Sequence, residues 1–400
     1  MNLTTGYPYS LINSGLQERY PKLEKSLKTD VLIIGGGISG ALTAYYLTNA
    51  GINCVVVDAR TIGLGSTCAS TSLLQYELDK PLSQLANEIG LKAAAHAYKL
   101  CAESINTLQN ITTKIKFPHF NKRKSLFFAA YKKDEKLIKA EFSIRKQEGF
   151  EVTFLNKKEI HQQFGFASPA AILSKQAAST DAYLLTHALL TYSIKKGLLV
   201  FDRTLISKIK YKIKGATLFT EQGHTITANR IVNASGYEIT EFIEKKIVTL
   251  HSTYAVASEH IEQPQPVWKE GTLLWNTADP YLYMRLTNDN RIIIGGRDEE
   301  FYNPAKRDKL IKTKTLFLKK DFNKLFPAID FIPEFSWTGT FGSTKDALPY
   351  IGTYKKTPHT YYALGFGGNG ITFSVIAAEI IRDMIMGKKN KDAALFAFNR

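Results

Sequence analysis

Apolar positions in this chain keep two rhythms, one helical and one alternating, and the switches between them mark its elements. Residues 31–34 are a short apolar, β-branched run, as expected for a strand buried on both faces of a parallel sheet. Ile38, Ala41, Leu42, Tyr45 and Tyr46 then recur at helical spacing, and Gly51 stands where a helix stops. A second strand at 54–57 ends on Asp58. Residues 83–114 read as one long helix or a broken pair, and 134–148 as another helix ended by Gly149. Asn156 caps a short helix to Phe164, and Asp181 caps an amphipathic one to Lys196 with Gly197 as its stop. Residues 199–213 alternate as a strand, Gln222-Gly223 marks a hairpin turn, and 230–236 is a buried strand ending in small residues.

From about 250 to 300 the rhythm is antiparallel. Runs at 253–256, 272–275, 281–286 and 291–294 are separated by turn residues, Asn288-Asp289-Asn290 being the plainest hairpin loop. A charged helical stretch covers 304–325. A glycine-rich loop at 364–370 then feeds an apolar helix from Ile371 to Met386, stopped by Gly387. No internal repeat or low-complexity tract interrupts this order.

The first strand-to-helix turn carries chemistry. Gly35, Gly37 and Gly40 spell G-x-G-x-x-G. Such glycines permit a tight turn and close approach of a pyrophosphate, which the helix N-terminus favours with free N–H groups and its positive dipole end. A ligand-free turn fits the motif alone. The strand, helix, second strand and Asp58 in register, the last at the spacing of a ribose-binding acid, favour a dinucleotide.

Composition narrows the class. Four hundred residues suit two domains. Three cysteines (Cys54, Cys68, Cys101) show neither metal-ligand spacing nor a paired framework, so no metal is expected and a reducing compartment fits. No stretch reads as a signal peptide or reaches transmembrane length, and a soluble cytoplasmic protein is expected. The net charge of +16 sits in scattered lysine doublets such as Lys132-Lys133 and Lys388-Lys389. Without an arginine stripe or interleaved aromatics it reads as a solvated surface rather than a nucleic-acid interface. Attraction of anionic substrates or of a membrane surface stays open. Composition leaves the oligomeric state undecided.

Six blocks then occur in an order that resembles one family, the FAD-dependent amine and amino-acid oxidoreductases of the D-amino-acid-oxidase superfamily, glycine and sarcosine oxidases among them. They are the first glycine motif with Asp58, Gly65-Ser66-Thr67, residues 233–236, residues 291–296, residues 344–352 and residues 365–370. The resemblance implies an α/β chain, α+β overall: a Rossmann-like FAD-binding domain with a parallel sheet, interleaved with an antiparallel-sheet substrate domain. The expected segments are 1–95 (with an extension over 1–28), 166–245 and 334–400 for FAD, and 96–165 and 246–333 for substrate.

It also implies site residues. Gly35, Gly37, Ile38, Ser39 and Gly40 should lie near the pyrophosphate, and Asp58, with Ala59 and Arg60 beside it, should hold the adenosine ribose. Gly65, Ser66 and Thr67 would approach pyrophosphate or flavin, and Ile206 would meet the adenine. Ala234 and Gly236 pass beneath the cofactor, and Gly367, Gly368, Asn369, Gly370 and Thr372 edge the isoalloxazine. Arg285 matches a carboxylate-clamping arginine of glycine-oxidase-like members. Tyr254, Tyr281 and Tyr283 are the candidate pocket wall.

Departures matter as much. A second arginine usual in those members is Phe341 here, and the lysine of sarcosine oxidases is Thr372. Positions of covalent flavin attachment are Ala69 and Gly339, so FAD is expected to be non-covalent. The implied reaction is oxidation of the C–N bond of an amine or amino acid, with hydride transfer to flavin N5 and hydrolysis of the imine. Two alternatives stay open: a flavin dehydrogenase serving a quinone or protein acceptor, and a non-catalytic flavin-binding or tRNA-modification-associated module.

Overall fold

In a computed structural model, which describes residues 1–241, 243, 247–261 and 270–400, the chain forms two large sheets with helices around them. Strands β1 (Thr4–Gly6), β2 (Leu27–Ile34) and β3 (Cys54–Val57) alternate with helices α1 (Tyr9–Ser14) and α2 (Ile38–Asn49). Then follow α3 (Ser66–Ala69), β4 (Leu73–Gln75), α4 (Leu82–Ile89), α5 (Leu91–Lys114), β5 (Asn121–Phe128) and α6 (Glu135–Gln147). The middle of the chain gives β6 (Val152–Asn156), α7 (Lys157–Phe164), β7 (Ala170–Ser179), α8 (Ala182–Ile194), β8 (Leu199–Phe201), β9 (Ile206–Tyr211), β10 (Ala216–Thr220) and β11 (Thr225–Asn233). Next come β12 (Thr249–Ser258), β13 (Leu273–Asn276), β14 (Tyr283–Leu286), β15 (Ile292–Glu299), α9 (Pro304–Lys309) and α10 (Ile311–Leu325). The last elements are β16 (Pro333–Ser343), β17 (Tyr350–Thr353), β18 (Thr360–Leu364) and α11 (Gly370–Ile385).

One sheet runs β17-β18-β11-β2-β3-β8, parallel from β18 to β8, with the β9–β10 hairpin attached to β11. The other runs β1-β16-β12-β15-β14-β13-β5-β7-β4 and is mostly antiparallel, β6 pairing β7. Helices α2, α8 and α11 pack on the parallel sheet, and α5 packs on α11 and on β4 and β7 of the other sheet. Ten of the twelve residues of α2 are buried, so the expected single apolar stripe is in fact a sequestered helix, sealed by α8 and α11 on its outer side. On the far face of the antiparallel sheet α10 covers a second core around Phe322, Phe331 and Ile294.

Local rules explain most boundaries. Gly90 breaks the 83–114 stretch into α4 and α5, and α7 begins in a capping box of Asn156 and Glu159. The expected strand over 199–213 is two strands. β8 adds to the parallel sheet through β3, whereas β9 turns away at Arg203 to pair with β10. Likewise 304–325 is two helices, α9 and α10.

Sheet membership also redraws the expected segments. β1, β4, β7 and β16 all belong to the antiparallel sheet, so residues 4–6, 73–75, 170–179 and 333–343 sit with it rather than with the nucleotide half. The expected joint at 245/246 lies outside the described residues. Among the described residues no helix is long and apolar enough to cross a membrane.

Candidate functional site

A continuous cavity of about 630 Å³ is lined by residues of both sheets. At one end stands Asp58, just past β3. Its carboxylate accepts the Gly36 N–H at 2.7 Å and the Arg60 N–H at 2.8 Å. Burial pushes its pKa up while those N–H groups pull it down. The Arg60 guanidinium makes a bidentate pair with Glu238 (2.8 and 2.9 Å), which also takes the Met1 ammonium at 2.8 Å. Burial disfavours the charge on Glu238, but Arg60 and that ammonium outweigh it and hold the group below the usual range. Nothing in the sequence marks Glu238, which follows the β11 strand end in a short 3-10 helix and meets Arg60 only through the fold.

In the middle, the glycine turn joins α2 and α3. The Ile38 N–H donates to Thr67 Oγ1 at 3.1 Å, and Ser39 shares a hydrogen bond of 2.7 Å with Ser374 of α11. The Ser66 hydroxyl is buried without a partner. Cys68 turns its thiol away to the Gly65 carbonyl, and burial pushes its pKa up to about 12, so it is inert.

The far end is the 364–372 loop. Asn369 donates to the carbonyls of Gln75 (3.1 Å) and Glu77 (2.9 Å), and the Gly368 N–H donates to Asp79 at 2.8 Å. Tyr281 Oη donates to the other oxygen of Asp79 at 3.0 Å. Burial pushes Asp79 up, and these two donors partly offset it.

Of the residues expected to hold a cofactor, Gly35, Gly37, Ile38, Ser39, Asp58, Ala59, Arg60, Gly65, Ser66, Thr67, Ile206, Ala234, Gly236, Gly367, Gly368, Asn369, Gly370 and Thr372 all line this cavity. Gly40 does not; it supports the turn from behind. The lining fits FAD: a buried carboxylate at one end, an orphaned hydroxyl at Ser66 beside the N-terminus of α2, and a glycine loop at the other. Asp58→Ala is expected to weaken FAD binding about 10- to 100-fold, the worth of hydrogen bonds to a charged group. Quenching of FAD fluorescence on titration into the apoprotein measures it, and an unchanged Kd would remove Asp58 from the site.

The substrate-wall residues divide. Tyr283 lines the cavity, its ring lying flat across Gly295 where any side chain would clash. Tyr281 lines it too, 5.8 Å from Tyr283 ring to ring. Tyr254 does not. It pairs with Gly296 across the sheet, faces the second core and donates to the Arg307 carbonyl at 3.3 Å; its neighbour Thr253 faces the cavity instead. Arg285 shares the face of Tyr283 two residues farther along β14, behind Thr71, whose carbonyl accepts its Nε–H at 2.5 Å. It is buried and outside the lining.

Asp298 is a second lining residue, after Glu238, without a signal in the sequence. Ile293 and Gly295 face the cavity side of β15, so regular alternation would bring Arg297 there next. A bulge between β12 and β15, with Arg297 at φ +58°, shifts the phase. Arg297 points to α10 and binds Asp321, and Asp298 takes its place in the cavity wall. Among the described residues no group of three His, Cys, Asp or Glu could hold a metal ion.

Comparison with known proteins agrees with this geometry. The family model for FAD dependent oxidoreductases matches residues 30–384. A Bacillus subtilis protein described as a Rieske 2Fe-2S iron-sulfur protein is 24% identical over 388 residues, covering 95% of this chain and 73% of its own. The gamma-glutamylputrescine oxidoreductase of Escherichia coli is 22% identical over 401 residues (92% of this chain, 86% of its own). Among solved structures, glycine oxidase from Geobacillus kaustophilus superposes with a TM-score of 0.79 at 20% identity, covering 93% of this chain and 99% of its own.

Proposed function

The chain belongs to the FAD-dependent oxidoreductase family, and from that premise we propose that it oxidises the C–N bond of a small amine or amino acid at the junction of its two sheets. The observation that carries this reading is the continuity of the cavity. The same space that begins at Asp58 and passes the Ser66–Thr67 turn ends between the 364–372 loop and the tyrosines of the antiparallel sheet.

Bound FAD supplies the acceptor for the hydride that leaves the substrate's α-carbon. The chain's own residues do the rest by placement. Asn369, tied to two carbonyls of the 75–77 segment, fixes the loop against which the reacting end must lie. Tyr281 and Tyr283 wall the chamber opposite, and Phe341 adds an apolar side that keeps water sparse. The nitrogen reacts as the free base, its proton given up to water; as hydride leaves carbon, the nitrogen lone pair forms the C=N bond, and water then cleaves the imine to a carbonyl compound and free amine. No His–Asp or paired nucleophile is required. The three cysteines are free and buried, which suits a reducing compartment, and the cytoplasm is taken as the place of action.

The test is an anaerobic visible spectrum of the FAD-loaded protein against a panel of amines and amino acids. Bleaching by one of them is expected, and colour returning with air identifies oxygen as an acceptor. A flavin spectrum that no amine or amino acid bleaches contradicts the proposed reaction.

A further inference from the structure

Asp298 is the charged side chain left unexplained by a cofactor site. The other charged groups among the described lining residues, Asp58, Arg60, Glu238 and the Met1 ammonium, gather at the opposite end and satisfy one another. Asp298 stands with Thr253 and Tyr283 of the antiparallel sheet and with Tyr281, just before β14. Its Oδ1 is shielded from solvent and has no hydrogen-bond partner. Among the described residues the cation that acts on it, Lys314, is bound to Glu299 (2.5 Å) and the Arg297 carbonyl (2.7 Å). Arg285, behind Thr71, is not in the lining.

Thr253 hydrogen-bonds this carboxylate, but Asp298 is partly exposed in the cavity wall, and a wall carboxylate that no cation of the lining answers is complementary to a cationic donor that comes and goes. We infer that this end of the cavity receives the protonated nitrogen of an amine on Asp298, between the rings of Tyr281 and Tyr283, and that the substrate has no carboxylate on its reacting carbon. The inference rests on the oxidation proposed above and narrows its substrate to a cationic amine. The tyrosine faces favour a cation. A substrate α-carboxylate would meet Asp298, with Asp79 just behind the Gly367–Gly368 turn, and no described arginine to clamp it.

The groups facing Asp298 set its titration. Burial, Asp79 and Asp279 raise its pKa, Thr253 and Lys314 lower it, and the balance stands at about 7; Tyr254, Tyr281 and Tyr283 feel its charge in turn. Asp298 is therefore mostly protonated below this value and anionic above it. Affinity for a permanently charged ammonium must rise as pH rises through about 7, roughly tenfold from one unit below to one unit above.

The probe is tert-butylamine, which has no hydrogen on its α-carbon and cannot be oxidised, titrated calorimetrically into the FAD-loaded protein. Pivalate, its anionic isostere, is the comparison. The amine is expected to bind at least about tenfold more tightly than pivalate at pH 8, with the pH profile above. Asp298→Asn should cost at least about tenfold and flatten that profile while the flavin spectrum stays unchanged. Equal binding of pivalate, a flat wild-type profile, or full amine affinity in the folded variant overturns the inference. Anaerobic bleaching with pentylamine and with norleucine, which differ by the α-carboxylate, separates the two readings. Bleaching by norleucine alone overturns the cationic-amine substrate and leaves C–N oxidation standing. Asp298-dependent binding of tert-butylamine with bleaching by no compound supports the recess and contradicts the oxidation.

Discussion

Gly40→Ala is expected to yield a protein that cannot retain FAD. A methyl group at this position lands on the carbonyl oxygen of Gly35, deep inside van der Waals contact, and its next neighbour is the Gly35 carbonyl carbon. Both atoms are backbone, so no side chain can swing aside. The first turn of α2 must lift from the end of β2, and with it the Ile38 N–H that Thr67 holds and the Ser39 hydroxyl that joins α11. The turn is where a pyrophosphate has to come closest to main chain. A loss of at least about 100-fold in affinity follows from misplacing several charge-assisted contacts together. Absorbance near 450 nm after incubation with FAD and gel filtration measures retention, with circular dichroism as the check on folding. A folded variant carrying one FAD per chain would show that the turn is not the cofactor cradle.

The second large effect concerns stability. Arg145 of α6 is fully buried, and so are Glu141 and Glu77, to which it donates at 2.7 and 3.2 Å. Its guanidinium lies between the rings of Tyr76, Tyr98 and Phe127. Glu141 also accepts the N–H groups of Leu82 and Ser83, capping α4 from another element. Burial pushes Glu77 up, and Arg145 works against that push. Arg145→Leu would strand two carboxylates in the core, for which the expected loss is about 3–5 kcal/mol. That is a large share of the roughly 5–15 kcal/mol typical of a folded protein. Denaturant titration reads it directly. Adding Glu77→Gln to the variant should recover part of the loss, because one orphaned charge is then gone. A midpoint that does not move would mean that water reaches these groups.

Both effects arise from parts of the chain that differ in how plainly the sequence shows them. The β2–α2–β3 unit is local: its strands, turn and ribose acid all lie between Leu27 and Asp58, and period and glycine spacing mark it without tertiary information. The tyrosines at 281 and 283 were visible as alternating strand residues on one face. Tyr254 reads as part of that wall because the sequence shows which residues of neighbouring strands alternate, not which face looks inward. Arg285 does share the correct face, but the chain at Thr71 lies between it and the cavity. Asp298 was hidden by a bulge, since alternation continued through Gly295 selects Arg297. Glu238 and Asp79 reach the site through contacts made across 178 and 289 residues of sequence, with Arg60 and Gly368. No periodicity encodes such meetings.

The strand order has a consequence for how the protein is made. On a ribosome, β2 and α2 emerge early, but β11 comes some two hundred residues later, and β18 later still. Helix α11, which covers α2 and α5, is synthesised after all of them. Until it clears the exit tunnel the nascent chain carries the apolar outer side of α2 uncovered, together with an unfinished parallel edge at β11. The nucleotide half cannot close until α11 has emerged, an interval that exposes the growing chain to aggregation and in which chaperones can act.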